Sequence, residues 1–475
     1  MEFLLPDELI GSIIDHLDVP SLLRCMQVCK LFYSIISEST HLIYKIELFA
    51  SHKEDNEHSS METVNRLNLL REYNRKWDDL EWTSSGSIPI PMTDDNCWEL
   101  SGGILAQVIH GNTLSLVQLP CKLKDIPERR WSVPFDFRIH DFTLDNSQDL
   151  IVLLELVETF PPNVSCKIHL RTLSGEQHPH AAGTQITYTS TSLHATLSFM
   201  IQICGNRVAY VHTAGITSYA FMTEDLILAT IIRSDSEPAL QILRASAHVD
   251  PIRSLEETPC ICELQLPKVQ GEVEWLLIRS KPTPTWKPPT DSGVPFYASR
   301  KDYIFSVLIR AVVDDMERNT VLFLPLSTLL LEVERSHDVP RRNVPWDAWG
   351  PDGTRIFSVK PSETWICYTY GMKFVQHVPW NNGYAVQVYD LNPYAARKHV
   401  KTTVDSLLPW KHLAEESQPS SRCGSFDEQV ITRLPGRVAT IILEHSNDDW
   451  DAAMIGEDHI VIVQPDSARY TYMAM

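Results

Sequence analysis

Adjacent carboxylates such as Asp94-Asp95, Asp314-Asp315 and Asp448-Asp449 are the first residues that could move a proton. General acid–base work needs groups that converge on one substrate. Side chains adjacent in sequence diverge instead, and such pairs read as turns. His178-Pro179-His180 offers two imidazoles, but a metal site needs at least one more ligand, so it reads as a solvated loop. No Gly-x-Ser-x-Gly, His-Glu-x-x-His, Walker loop or Gly-x-Gly-x-x-Gly occurs. The ten cysteines, at 25, 29, 97, 121, 166, 204, 260, 262, 367 and 423, include no Cys-x-x-Cys pair. They read as reduced, buried, small apolar side chains. The sequence therefore predicts a non-enzyme without metal or cofactor.

The remaining chemistry is that of contact. Trp346, Trp349, Trp365, Trp380 and Trp410, five of twelve tryptophans, crowd into one stretch. Trp346 and Trp349 stand in Pro345-Trp346-Asp347-Ala348-Trp349-Gly350-Pro351-Asp352-Gly353, just after Arg341-Arg342, and the prolines and glycines predict a loop. Trp380 stands in a similar segment, Pro379-Trp380-Asn381-Asn382-Gly383. Trp and Arg are the residues most enriched at binding hot spots. Arg342, Trp346, Trp349 and Trp380 are thus candidates for one cargo-binding rim, against the alternative that they pack between sheets. Trp365, inside an apolar run, reads as core.

Formal net charge is −20, a field that repels a phosphate backbone and argues against nucleic acid as a partner. The opening Met1-Glu2-Phe3-Leu4-Leu5-Pro6-Asp7-Glu8 lacks the basic region of a signal peptide. The most apolar stretch, Leu150 to Val157, is interrupted by Glu155 and falls far short of the ~20 residues of a membrane helix. A cytoplasmic or nuclear protein without a membrane partner is expected.

The elements that must position these residues come in two textures. In residues 1–50, Leu5, Leu9, Ile10, Ile13, Ile14 and Leu17 recur at helical steps. Asp18-Val19-Pro20-Ser21 stops that helix, and a second run extends from Leu22 to Ile36. Leu42, Ile43, Ile46 and Leu48 predict one more short helix. Residues 51–84 read as a polar linker and a clamping helix over about 60–80. Its stripe is Val64, Leu67, Leu70, Tyr73, Trp77 and Leu80, and Ser59-x-x-Glu62 suggests a capping box. From 85 to 475 the helical period vanishes. Some fifteen short β-rich runs take over, from Gly103–Val108 to His459–Gln464.

A phrase recurs among these runs. A polar turn residue precedes a continuously apolar strand at Asp149-Leu150, Asn206-Arg207, Asp225-Leu226 and Asp458-His459. An alternating strand follows at Ile168–Leu173, Leu240–Arg244 and Val386–Leu391. Read as an inner strand buried on both faces and an outer strand half exposed, the pair suggests a blade of a β-propeller. Large β-sandwich domains are the alternative. The spacing is irregular and no WD40 signature occurs. A propeller closes by pairing its terminal strands, a role for the β-rich end from Val438 to Tyr472. Residues 281–295, rich in proline, read as a loop rather than a linker.

The head, Leu5-Pro6-Asp7-Glu8-Leu9 through Leu17, then Leu22-Leu23-Arg24-Cys25 and Val28-Cys29-Lys30-Leu31-Phe32, resembles the F-box, with Phe32 where that family often carries Trp. Leu69-Leu70 to Tyr73 and Trp77, followed by Glu99 to Ala106, resemble the large F-box families of mushroom-forming fungi. The two textures predict an α+β chain, a small helical F-box followed by a large all-β domain. The resemblance implies docking on Skp1, and through it on a cullin, as substrate-receptor adaptor for an unknown cargo protein. The alternative function is a scaffold whose bound partner is never ubiquitinated. Leu5, Pro6, Leu9, Ile13, Leu22, Val28, Cys29 and Phe32 are the candidate Skp1 contacts, each weighed against packing within the head.

Overall fold

The helical period of the first fifty residues produces, in the computed structural model, four short helices. These are α1 (Asp7–Asp15), α2 (Val19–Val28), α3 (Lys30–Glu38) and α4 (Thr40–Ala50). The structure describes residues 6–89, 97–158, 164–181, 183, 185–190, 200–211, 216–233, 237–245, 258–290, 292–337, 339, 341–358, 367–380, 383–400, 410–413, 426–442, 452–464 and 469–475. Asp18 caps α2 by accepting the Ser21 N–H at 2.9 Å, and Pro20 sits in the first turn, where no N–H is needed. The run expected to continue from Leu22 to Ile36 is broken. Cys29 adopts extended backbone (φ −157°) and separates α2 from α3. Ile10, Ile14, Val19, Leu22, Ile36 and Leu42 form one small core inside the head.

Helix α5 (Thr63–Asp79) follows. Glu62 occupies its N-cap position, so the expected capping box at Ser59 does not form. Leu67, Leu70, Tyr73 and Trp77 are buried against the β body, whereas Val64 is exposed. Leu80 ends the helix in the left-handed region (φ 52°).

The rest is a six-blade propeller. Blade 1 is Trp98–Ser101, Ile104–Ile109, Thr113–Gln118 and Arg129–Pro134; blade 2 is Asp141–Asp145, Leu150–Glu158, Val164–Arg171 and Gln185–Ser190. A two-stranded ladder, Met200–Cys204 with Arg207–Val211, lies in the ring between blades 2 and 3. Blade 3 is Ile216–Phe221, Leu226–Ile232, Pro238–Arg244 and Cys260–Gln265, with Arg342–Val344 added in parallel at its outer edge. Blade 4 is Glu272–Arg279, Ile304–Val313, Met316–Pro325 and Arg355–Ser358. Blade 5 runs from Thr369–Tyr370 through Lys373–Trp380, Gly383–Asp390 and Arg437–Ile442 to Trp410–His412. Blade 6 takes Ala452–Ile455, His459–Gln464 and Arg469–Ala474 from the end of the chain and Ser84–Pro89 from its start. The ring is thereby closed by pairing Ser84 with Ala474 through Pro89 with Arg469. Sheets packed face to face around a ring replace the sandwich alternative.

The recurring phrase marks other strands than expected. Leu150–Glu158, Leu226–Ile232 and His459–Gln464 are second strands of their blades, and the alternating partners are third strands. A second strand is continuously apolar because neighbouring blades cover both of its faces. The first strand borders the channel and there carries polar side chains, as Asp141, Thr143 and Asp145 do in blade 2.

The proline-rich segment is a strap across the channel mouth nearest the helices. Gly371 of blade 5 donates to the Lys281 carbonyl at 2.7 Å, and Gly205 of the ladder donates to Thr285 Oγ1 at 2.7 Å. Trp286 Nε1 donates to Asn146 Oδ1 of blade 2 at 2.9 Å. The strap then returns to the head. Asn56 Nδ2 donates to the Val294 carbonyl at 2.7 Å, and Phe296–Ala298 pairs with Lys53–Asp55. Among the described residues no helix is long and apolar enough to cross a membrane.

Candidate functional site

The head presents apolar side chains that its own core leaves out. Leu9 and Ile13, one turn apart on α1, are 51% and 57% exposed; Val28, ending α2, is 68% exposed. These exposed side chains on one small unit are the head's candidates for a contact surface. Pro6 is exposed, and Cys29 and Phe32 are partly exposed. Leu22, expected at the same contact, is instead fully buried in the head's core, because the inward stripe of α2 runs through it. Leu5 lies outside the described residues. Two apolar residues that the sequence reading passed over, Leu23 and Tyr33, are also exposed. The signal was available, since each lies one residue beside an inward-facing position on its helix.

The four expected cargo residues do not share one rim. The segment Trp346–Gly353, expected to be a loop, is a short helix packed on the outer edge of blade 3. Trp349 is buried there and donates Nε1 to the Gln265 carbonyl at 3.1 Å, with the Trp346 ring at 5.2 Å edge-on. Arg342 is held by the buried Glu332 at 3.3 Å. Trp346 and Trp349 belong to the core shared by blades 3 and 4. Trp380 is elsewhere, on blade 5, and 39% exposed. Its strand begins at Lys373, whose ammonium lies over the Trp77 ring of α5. Seven residues at about 3.3 Å each carry it to the opposite, distal face. Ile442, paired beside the neighbouring Ala385, is exposed on that face too. Trp365 lies outside the described residues.

Head and propeller are joined by a buried charge network. Glu457, in the first turn of blade 6, accepts Lys53 at 2.9 Å and Lys124 of blade 1 at 3.2 Å; Lys124 also meets Asp458 at 2.8 Å. Tyr73 of α5 donates to the Glu457 carbonyl, and Lys53 lies 4.6 Å from its ring centre. Burial opposes charge on Glu457, but the two ammonium groups win and pull it down to about 2. For Lys53 burial dominates and lowers it to about 8, with Lys124 and Lys373 adding repulsion. Around the far end of α5, Arg437 joins Asp78 at 2.8 Å to Asp390 at 2.8 Å beneath Trp410. Broken singly, buried pairs are costly, and this one ties Lys53 and helix α5 to blades 1 and 6.

The channel holds a cavity of about 270 Å³ between the first strands of the blades and the strap. Lys281 of the strap pairs with Glu99 at 2.5 Å, and Thr143 Oγ1 donates to the same carboxylate oxygen at 3.2 Å. Asp141 accepts the Phe142 N–H at 2.7 Å and the Cys97 thiol at 3.3 Å, both on Oδ1. Burial pushes the Asp141 carboxyl up to about 6, with neighbouring Glu99 adding to the rise and Arg279 opposing it.

Asp314-Asp315 forms the tip of a blade 4 hairpin, as its type predicts; Asp94-Asp95 and Asp448-Asp449 lie outside the described residues. His178 Nε2 lies 3.0 Å from the Gln148 carbonyl, with the His180 ring 6.0 Å away. Among the described residues no group of three or more His, Cys, Asp or Glu could hold a metal.

Residues 3–48 match the F-box-like family. No curated protein matches the sequence. Among solved structures, a virginiamycin B lyase from Staphylococcus aureus aligns over 82% of this chain and 99% of its own, at 8% identity and a TM-score of 0.31. The WD40 domain of SCAP from fission yeast aligns over 81% of this chain and 82% of its own, at 7% identity and a TM-score of 0.25. The blade count rests on the strand pairing itself. The chain carries an F-box-like domain ahead of a six-blade β-propeller, the build of an F-box substrate-receptor type protein.

Proposed function

We propose that this protein is a substrate-receptor adaptor of a Skp1–cullin–F-box ubiquitin ligase, acting in the cytosol or nucleus and performing no chemistry itself. The observation that carries the reading is the uncovered apolar face of the F-box-like head, on Leu9, Ile13 and Val28 with Leu23 and Tyr33. Pro6, Cys29 and Phe32 extend the contact, and Leu22 supports it from inside. Cargo takes the distal face, because α5 and the strap cover the proximal one. Trp380 and Ile442 are its proposed contacts there. Arg342, Trp346 and Trp349 serve the blade 3 edge.

The test is co-purification of the full chain with Skp1, with Ile13→Asp and Val28→Asp introduced together. Both positions are solvated in the free chain, so melting should not change. In the complex each carboxylate would be buried without a partner, an effective penalty of roughly several kcal/mol per ion. Retained Skp1 binding with an intact fold would overturn the reading. Proteins bound through Trp380 should then turn over more slowly in cells once the head is disabled. A lifetime that ignores the head would leave a scaffold.

A further inference from the structure

The channel carries an arrangement of charge that the adaptor reading does not use. It already seats one ammonium, that of Lys281, on Glu99 Oε1. On the next blade, Asp141 faces the same cavity. Its two hydrogen bonds both fall on Oδ1, and among the described residues no cation stands within ion-pair distance of it. The two bonds to Glu99 likewise fall on one oxygen, Oε1. Two carboxylate oxygens, Asp141 Oδ2 and Glu99 Oε2, are thus left to accept donors in a cavity lined in part by Phe142, Trp286 and Tyr370. A buried carboxylate is stabilised by a donor that brings positive charge. An anion would meet Glu99, Asp141 and Asp145 together.

We propose that the channel binds a primary alkylammonium group at the Asp141 carboxylate, beside the seat that Glu99 gives to Lys281. The group comes either from a free amine or from a lysine side chain of a bound protein; only the second source rests on the adaptor reading. Entry is from the distal face. Trp98–Ser101 and Asp141–Asp145 both run toward the strap, so Cys97 and Asp141 stand at the far ends of the channel-lining strands. The ammonium donates to Asp141 Oδ2 and Glu99 Oε2 while its alkyl chain trails back toward the distal mouth. A quaternary ammonium has no N–H to donate and is rejected.

The test titrates the full chain by calorimetry with n-butylamine, Nα-acetyl-lysinamide and tetramethylammonium. At least one of the first two binds, and tetramethylammonium does not. Affinity rises about tenfold from pH 5 to pH 7, because Asp141 ionises across a value of about 6. The other groups facing it are Cys97, Glu99, Asp145, Arg279 and Lys281. Of these, burial drives the Cys97 thiol well above its ordinary value, and burial opposes the Lys281 charge that Glu99 more than restores. Asp141→Asn loses tenfold or more. Binding of the lysinamide with exclusion of n-butylamine assigns the site to protein lysines; the reverse assigns it to free amines. Absence of binding by both, equal binding of tetramethylammonium, or a flat pH profile overturns the proposal, and none of these needs the variant to fold. Skp1 capture by the head does not pass through the channel, so failure of one proposal leaves the other standing.

Discussion

Glu457→Gln at the junction of head and propeller should destabilise the protein more than removing Glu457 and its partner Lys53 together. The two side chains meet at 2.9 Å and each is less than a tenth exposed. In Glu457→Gln, Lys124 keeps Asp458 at 2.8 Å, so the loss falls on Lys53, stranded as a buried ammonium beside Tyr73. Breaking one side of such a pair costs about 3–5 kcal/mol. Lys53→Met leaves Glu457 paired with Lys124 at 3.2 Å and should cost less, about 1–3 kcal/mol. Lys53→Met with Glu457→Gln removes the stranded charge, so the double variant should be more stable than Glu457→Gln, and the two changes should be strongly non-additive. Urea denaturation of the full chain, followed by tryptophan fluorescence with equal m-values checked, reads these differences. The pH dependence gives a second arm. Burial holds Lys53 at about 8 in the fold, below the ordinary lysine value of 10.5. The unfolded chain therefore binds more protons across that window, and this residue makes wild-type stability rise with pH from about 8 to 10.5. Lys53→Met should lose that rise. Strictly additive single variants, or a Glu457→Gln cost below about 1 kcal/mol, would refute the network as the determinant of the junction.

Trp349→Ala should cost about 3–5 kcal/mol, as large-to-small core changes do, whereas Trp380→Ala should leave the melting temperature within a degree or two and reduce cargo capture. Ending the chain before Arg469 removes the strand that pairs with Ser84–Pro89, and the truncated protein should lose cooperative melting. Below the usual carboxylate range the protein should weaken steadily. Asp390 and Glu457 are both held down by neighbouring cations against burial, so their contribution is complete above their unfolded values and is lost as pH falls toward about 2. Melting temperatures at pH 5, 4 and 3 follow it, and Glu457→Gln should flatten the profile.

The helical period of residues 7–50, the stripe Leu67, Leu70, Tyr73 and Trp77, and the apolar runs of the β body are written locally, in side-chain alternation against 3.6 or 2 residues per turn. Those elements could be located, and closure by the chain ends anticipated, because an unpaired sheet edge must be met somewhere. Local signals failed where the backbone answers to a neighbour. The proline and glycine of Trp346–Gly353 predicted a loop, but packing against blade 3 holds a helix there. The doubly buried runs read as inner strands of their blades, yet Leu150–Glu158, Leu226–Ile232 and His459–Gln464 are second strands, covered by neighbouring blades on both faces. Leu22 and Leu9 are chemically alike in sequence; only the crossing of α1, α2 and α3 turns one inward and the other to water. The meeting of Lys53, Lys124 and Glu457, and of Glu99, Asp141 and Lys281, had no trace in spacing. Such sites join residues far apart in the chain, and their partners are chosen by how a closed ring brings its blade turns and its strap together, a geometry that no local period encodes.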